Sequence, residues 1–236
     1  MSERGLRDAE NPSALFMLRG GGGGDGEPPV VGSAVGSVLE GTRAMCAEVQ
    51  ALCVKTHVEY PRHRTTGLPL DRVFMLLAVL SKHAGILPFR NDVFVSVVGG
   101  LRTSDPAVDL AATVAVASSI TSRPVRGGVA LIGEVGLGGE LRPVAHVDQR
   151  IGAAKQMGFS SVIVPAARPG GGPGHGAHGG MRIAPHASVV SVLRAVLLPR
   201  QRAAAADEFG DGREEPDERR RGAGPPRAAG GDEDRP

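Results

Sequence analysis

The fold of this chain is decided by residues 129–144, VALIGEVGLGGELRPV, where an apolar run meets a glycine-rich turn. The run Val129–Ile132 predicts a buried strand, and a second extended piece follows at 140–144. A helical pattern then covers 146–157, and residues 160–165 predict another strand. The stretch is therefore a β-β-α-β unit, as found in α/β domains whose helices pack on a sheet.

Further strands and helices are predicted on both sides of this unit. The predicted strands are a hairpin over 30–54 and single strands over 91–98 and 181–184. The predicted helices cover 70–84, 107–122 and 188–198. Residues 57–69 carry turn-forming and basic side chains and are predicted to be an exposed loop. The predicted fold class is α/β, with two-layer α+β packing.

The predicted domain spans residues 30–199 and includes a Gly/Pro/His-rich loop at 166–180. Residues 1–29 are predicted to be a connector with a Gly-rich spacer, and residues 200–236 a disordered tail. His175 and His178 lie three residues apart in the glycine loop, but no Cys, Asp or Glu stands near them. No metal site is therefore predicted.

Composition narrows the possible functions only slightly. The chain carries a formal charge of +2, and its basic excess lies in the first 200 residues, so nucleic-acid binding is permitted but not demonstrated. Cys46 and Cys53 are seven apart on one predicted strand, so their side chains point to opposite faces and are predicted to be core residues in a reducing compartment. No apolar run is long enough to span a membrane. An intracellular, soluble protein is expected, cytoplasmic if bacterial and in chloroplast, mitochondrion or nucleus if eukaryotic.

Several motifs together resemble one known family. They are GEVGLGGELRPV at 133–144, DQRI at 148–151, NDVFV at 91–95, VVGGLR at 97–102 and DPAVDLA at 105–111. Over about residues 3–199 the chain resembles the C-terminal Lon-protease-like domain of the RadA/Sms DNA-repair proteins. The resemblance implies the fold of the second domain of ribosomal protein S5, which Lon proteases share.

The resemblance also implies a role in DNA repair and homologous recombination. In that family a four-cysteine zinc finger and a RecA-like ATPase precede this domain, the whole protein drives branch migration, and a hexameric ring is usual. This sequence has no C-x-x-C pair and no phosphate-binding Gly-x-x-x-x-Gly-Lys motif. ATP, Mg and Zn are therefore expected only in those other family domains. The chain is expected to be a fragment, the product of a mispredicted gene start or a stand-alone module. A recombinase is a possible partner.

A Lon-type serine peptidase is the main alternative. Such an enzyme needs a Ser nucleophile at a helix start and a Lys that accepts its proton. Alignment to those motifs puts Ala107 at the nucleophile and Asp148 at the lysine, and neither residue can do that chemistry. Ser104 and Ser118 lie nearby in sequence and are interpreted as ordinary loop and helix residues. The domain is therefore predicted to be non-proteolytic.

DNA contact is the preferred positive hypothesis, with single-stranded or branched DNA as the partner. Basic side chains bind phosphates without reading sequence, so binding is expected to be salt-sensitive and non-specific. Aromatic residues make up only 3% of the chain, so base stacking is not expected as the main mode. The candidate residues are Arg62, Arg64, Arg102, Arg126, Arg142, Arg150 and Lys155. A purely structural assembly module, with homo-oligomer formation as its only role, is the remaining alternative.

Overall fold

The computed structural model describes residues 30–56, 58, 60–166, 177–178 and 180–200. The predicted connector (1–29), most of the predicted loop at 166–180 and all but the first residue of the predicted tail lie outside the described residues. The predictions for these segments are therefore not addressed by the structure.

Strands in the described part of the chain form one large mixed sheet and one small ladder. They are β1 (Ser33–Glu40), β2 (Arg43–Lys55), β3 (His63–Thr66), β4 (Asn91–Val97), β5 (Val129–Leu131), β6 (Glu134–Val135), β7 (Leu141–Arg142), β8 (Ser161–Pro165), β9 (Ala177–His178) and β10 (Met181–His186). The sheet order is β3-β4-β2-β1-β5-β8-β10-β9, and β6 pairs with β7. Strands β1, β5, β8 and β10 run parallel, whereas β2 is antiparallel to both of its neighbours.

The described helices are α1 (Leu70–Ala84), α2 (Asp109–Thr121), α3 (Val147–Gln156) and α4 (Val189–Val196). The predicted ends of these helices are confirmed by their chemistry. Helix α1 ends at Gly85, which adopts a positive φ of 66°. The short 3-10 turn Pro106–Val108 that precedes α2 is capped by Asp105, whose Oδ1 accepts a hydrogen bond from the Ala107 N–H at 3.0 Å. No helix in the described ranges is long and apolar enough to cross a membrane.

The two faces of the sheet are covered by different helices. Alternation along β2 places Ala47 and Val49 in the larger core with α1, α2 and α4, whereas Cys46 packs in a second core with Ile151 of α3. The prediction that Cys46 and Cys53 face opposite sides is confirmed, because Cys53 packs against the larger core. The α/β class is confirmed, and α3 adds a partial third layer to the expected two.

Helix α3 leaves part of its own face of the sheet uncovered. That uncovered part consists of the last residues of β2, together with β4 and β3, and we call it the open sheet face. Alternation and strand register assign Leu52, Phe94 and Arg64 to it, and all three are exposed. The open sheet face ends at β3, the edge strand.

Two sequence predictions are corrected by the structure. Residues 57–69 are not only a loop, because β3 lies within them and pairs in parallel with β4. The predicted strand over 140–144 is limited to β7, since Pro143 has no N–H to extend a ladder. In both cases hydrogen bonding to a partner strand, rather than local alternation of side chains, determines which residues form a strand.

Candidate nucleic-acid interface

Three of the seven predicted basic residues follow the edge strand β3. Arg62 precedes the strand, and its backbone N–H donates to Asp92 Oδ1 at 2.7 Å. Arg64 lies within the strand, in register with Phe94. Arg102 lies beyond the far end, where the N–H of the next residue, Thr103, donates to the Gly67 carbonyl at 2.8 Å. All three side chains are exposed. We call Arg62, Arg64 and Arg102 the β3 arginine row.

Three other candidates are exposed but lie apart from this row. The Arg126 N–H donates to the Val196 carbonyl at 2.8 Å, which places Arg126 at the end of α4. Arg142 forms an ion pair with Glu140, with 3.3 Å between Nε and Oε1. Lys155 lies in the last turn of α3. The structure therefore does not bring these residues into one basic surface.

The buried position of Arg150 does not fit the predicted role in DNA contact. Its side chain is only 2% exposed, and Nη1 lies 2.8 Å from Asp105 Oδ2 and donates to the Ser37 carbonyl at 3.1 Å. Its Nε donates to the Ala145 carbonyl at 2.9 Å. The guanidinium is thus satisfied inside the protein and cannot reach a phosphate outside it.

The same contacts join Arg150 to the turn that holds Ala107. Asp105 accepts from the N–H groups of Ala107 and Leu39 and pairs with Arg150, so a single carboxylate links helix, turn and strand β1. Asp148, two residues earlier on α3, is exposed instead. Arg150, and not Asp148, is therefore the charged residue of α3 that contacts the turn that holds Ala107.

This arrangement lacks the groups of a serine–lysine pair. Ala107 is fully buried and offers a methyl group where a hydroxyl would be needed. The guanidinium of Arg150 has donors but no acceptor, so it does not replace the neutral amine of a lysine general base. What the arrangement can do is hold α3, β1 and the start of α2 together.

Comparison with known proteins identifies relatives of this domain. The model of the Lon protease (S16) C-terminal proteolytic domain matches residues 87–171, which include both Ala107 and Arg150. The chain is 44% identical over 165 residues to the DNA repair protein RadA of Pseudomonas aeruginosa, and 43% identical over 167 residues to that of Escherichia coli. The RadA of Bacillus subtilis is 39% identical over 167 residues.

The chain is similar to the Lon-type part of the RadA proteins. Each of these alignments covers 70–71% of this chain but 35% of the relative, so the chain spans about a third of the length of the curated relatives it matches. The Lon-type domain predicted from the motifs at 91–151 is confirmed. Of the β3 arginine row, only Arg102 lies inside the segment that the Lon model matches.

The two serines that lie near the Ala107 position in sequence differ in environment. Ser118 is fully buried, accepts from the Gly32 N–H at 2.8 Å and donates to the Arg123 carbonyl at 2.6 Å. Ser104 is exposed in the loop before Asp105. Because Ser118 is occupied by backbone partners, its interpretation as a structural helix residue stands.

Sequence reasoning missed a second group of basic residues beside β3. Thr56 and Arg62 are both bonded to the start of β4 or the residue before it: the Thr56 N–H donates to the Arg90 carbonyl at 3.3 Å, and the Arg62 N–H donates to Asp92 Oδ1 at 2.7 Å. Exposed Lys55 and Arg90 therefore stand near Arg62. Only the strand pairing reveals this proximity, since Lys55 and Arg90 are 35 positions apart in the sequence.

An ion pair between a buried carboxylate and a partly exposed arginine was also missed. Asp109, at the start of α2, pairs with Arg72 of α1 and accepts from the Val135 N–H at 3.3 Å. Burial raises the pKa of Asp109, and the Arg72 guanidinium opposes that shift. The hydrogen bond from Arg72 raises the pKa of the arginine itself. This pair fixes α1 against α2 on the face opposite the open sheet face.

Proposed function

We propose that this domain contacts DNA through the β3 arginine row. Exposed guanidinium groups of Arg62, Arg64 and Arg102 follow one strand edge over about 16 Å, at roughly 3.3 Å per residue. Such spacing suits successive phosphates of one DNA strand, and the contacts would fix position without reading sequence. The row, rather than the total charge, is the observation that carries this proposal.

The domain acts in this proposal without cutting peptide bonds. Ala107 supplies no nucleophile, and Arg150 is held by three acceptors inside the fold. The relatives are named DNA repair protein RadA, and a role of the whole protein in DNA repair and recombination is part of the proposal. The proposal also includes assembly into a homo-oligomer, for which the family resemblance suggests a hexamer. It further includes action together with a recombinase.

The test compares two variants with the same change in charge. One carries Arg62→Gln, Arg64→Gln and Arg102→Gln, and the other carries Arg126→Gln, Arg142→Gln and Lys155→Gln. Binding to a fluorescent single-stranded oligonucleotide is measured by anisotropy between about 50 and about 200 mM salt. Removing three phosphate contacts lowers the slope of log affinity against log salt by about 2. We expect this decrease in slope for the variant of the β3 arginine row, and a much smaller decrease for the variant at Arg126, Arg142 and Lys155.

Two outcomes contradict the proposal. If both variants lower the salt slope of binding equally, DNA affinity depends on total charge and not on the β3 arginine row. Absence of binding by the unaltered protein at about 50 mM salt removes DNA contact altogether, since phosphate binding is strongest there. Circular dichroism of both variants verifies that the exposed substitutions leave the fold intact.

A purely structural assembly module is the second candidate, and the open sheet face favours it. Leu52, Val54 and Phe94 are exposed beside one another, and clusters of this kind often mark protein–protein contacts. A Leu52→Glu variant that sediments as a smaller species than the unaltered chain, while its DNA affinity stays the same, supports that reading. An unchanged sedimentation coefficient argues against it.

A further inference from the structure

The free edge of the sheet at β3 carries main-chain groups that the protein leaves unpaired. In a parallel ladder every second residue directs its N–H and C=O to the neighbouring strand, and here the Val93 N–H donates to the Arg62 carbonyl at 2.8 Å. The even-numbered residues of β3 therefore face β4 with their backbone, whereas His63 and Thr65 direct theirs outward. Within the described part of the chain, no hydrogen bond reaches these outward groups.

A groove continues the line of this edge. It has a volume of about 550 Å³ and lies between residues 65–69, at the end of β3 and beyond it, and residues 102–104. A smaller cavity of about 240 Å³ shares four of these residues and extends to Arg72 in the first turn of α1. Because the two cavities share a wall, an extended chain that leaves the edge of β3 has a path across the surface in front of it.

The unpaired charge along this path is positive. Arg64 on the strand and Arg102 in the groove wall are exposed, and neither forms an ion pair with another described residue. The two carboxylates that line the smaller cavity, those of Asp105 and Asp109, each pair with an arginine already. Carboxylates of an occupant would neutralise the free guanidinium groups, whereas a second copy of this edge would bring arginines together. The charge therefore favours an acidic partner.

The main-chain groups of β3 separate a peptide from a nucleic acid. Phosphates can neutralise Arg64 and Arg102, but a phosphate chain carries acceptors only and cannot donate a hydrogen bond to a carbonyl. A peptide strand offers both an N–H and a C=O at every second residue, which is the spacing that the edge presents. The outward carbonyls of His63 and Thr65 are therefore satisfied by a peptide and not by DNA.

We propose that the free edge of β3 and the adjoining groove bind an extended acidic segment of a partner protein. The segment adds a strand to the sheet beside His63 and Thr65, and its carboxylates pair with Arg64 and Arg102. The inference is separate from the proposed DNA contact, since it depends on main-chain hydrogen bonds that DNA does not form. Both occupants use Arg64 and Arg102, so we expect peptide and DNA to compete for this edge of the sheet.

The test uses a fluorescent peptide in which Glu and Val alternate, and its binding to the full chain is followed by anisotropy at low salt. Two control peptides change one property each. In the first, Lys replaces Glu, and in the second the N–H groups along one edge are methylated while every carboxylate stays. We expect saturable binding of the Glu peptide. Affinity should be at least about ten-fold lower for both controls, because one loses the complementary charge and the other its main-chain donors.

Two substitutions at one position test the same contact from the side of the protein. Thr65→Pro removes the outward N–H, and an edge strand accepts proline there because β4 does not use that N–H. Thr65→Val, the matched control, removes the hydroxyl group and keeps the N–H. One lost hydrogen bond weakens binding by about 3- to 10-fold, so we expect that loss for Thr65→Pro and a change within about two-fold for Thr65→Val. DNA affinity should stay within about two-fold in both, because phosphates contact side chains.

Each result supports or overturns the inference. Equal binding of the Glu peptide and its methylated form overturns strand addition, and so does a loss in Thr65→Val as large as that in Thr65→Pro. Binding of DNA without binding of the Glu peptide overturns this inference and leaves the proposed DNA contact intact. Binding of the Glu peptide that DNA does not displace supports this inference and counts against DNA contact through the β3 arginine row. If circular dichroism shows that Thr65→Pro has lost its fold, the methylated peptide decides the question on the unaltered protein.

Discussion

Strand β2 passes through two regions of the molecule that differ in what covers them. Cys46 and Leu52 are six residues apart and point to the same face of the sheet. Cys46 is 1% exposed beneath α3, whereas Leu52 is 60% exposed beyond the end of that helix. Two residues on one face of the same strand are thus a core residue and a surface residue. They differ because the ten-residue helix α3 covers the first and ends before the second.

Arginine shows the same contrast more sharply. Arg150 in the covered region is enclosed and satisfied by Asp105, Ser37 and Ala145. Arg64 in the open region is exposed beside Phe94. The first residue holds the fold together, and the second is available to a ligand. Residue type alone does not separate these roles, because burial decides whether a guanidinium binds the protein or its partner.

The largest expected effect comes from breaking the covered region at Arg150. Arg150→Met keeps the length of the side chain but leaves the Asp105 carboxylate without its cation. An unpaired, largely buried charge costs about 3 kcal/mol or more. The free energy of unfolding, measured by urea denaturation, should fall by that amount.

The matched control for Arg150 is Arg126→Met, which removes a guanidinium from an exposed site. Its unfolding free energy should change by no more than about 0.5 kcal/mol. If Arg150→Met also stays within about 1 kcal/mol of the unaltered protein, Arg150 does not hold the covered region together and the contrast between the two regions fails.

A second prediction sharpens the contrast by comparing two glycines. At Gly36 of β1 an added Cβ would lie 2.9 Å from Ala111 Cβ of α2, whereas at Gly152 of α3 it would meet nothing within 4 Å. Gly36→Ala should destabilise the fold by about 1–3 kcal/mol through overpacking. Gly152→Ala should stabilise it by about 0.5–1 kcal/mol, because alanine favours a helix more than glycine does.

Thermal unfolding followed by circular dichroism measures both glycine variants. The opposite signs matter more than the sizes, since both changes add the same methyl group. A stabilising Gly36→Ala would mean that α2 can move away from β1, and the close approach of helix and sheet would then not be needed. A destabilising Gly152→Ala would mean that the exposed side of α3 is covered by something else.

Much of this fold could be predicted from sequence because its elements are strongly periodic. The hairpin, α1, β4 and α2 all follow from alternation, helical spacing and caps such as Asp105. Strand β3 could not be predicted, because its sequence HRTT has no apolar alternation and its pairing with β4 bridges 30 positions. The β3 arginine row depends on that strand and was therefore hidden too.

The site residues were predicted less well than the fold. A charged residue on a short helix is normally assigned to the surface, so Arg150 was grouped with exposed basic residues. Its burial depends on Asp105, which is 45 positions earlier and reaches it only in the folded chain. Nothing in the sequence indicated that Arg150, rather than the nearby Asp148, contacts the turn that holds Ala107.

The smallest expected effect is a pH dependence at the edge of the open region. The ring of His63 in β3 lies 5.0 Å from that of Phe74 in α1 and 5.9 Å from that of Phe89 in the turn before β4. Its Nε2 is buried and has no hydrogen-bond partner within the described part of the chain. Burial lowers the pKa of His63 below its ordinary value, although the Asp92 carboxylate acts in the opposite direction.

Because the pKa of His63 is lower in the folded protein, the unfolded chain binds protons more readily. Stability from the neutral ring is therefore full above about pH 6.5 and is lost as the pH falls toward the folded pKa. His63→Phe removes this titration and keeps a ring between the two phenylalanines. Urea unfolding at about pH 7.5 and about pH 5.5 should show a larger loss for the unaltered protein than for the variant. An equal loss in both would mean that other groups set the pH dependence and that β3 is held to α1 without regard to the charge of His63.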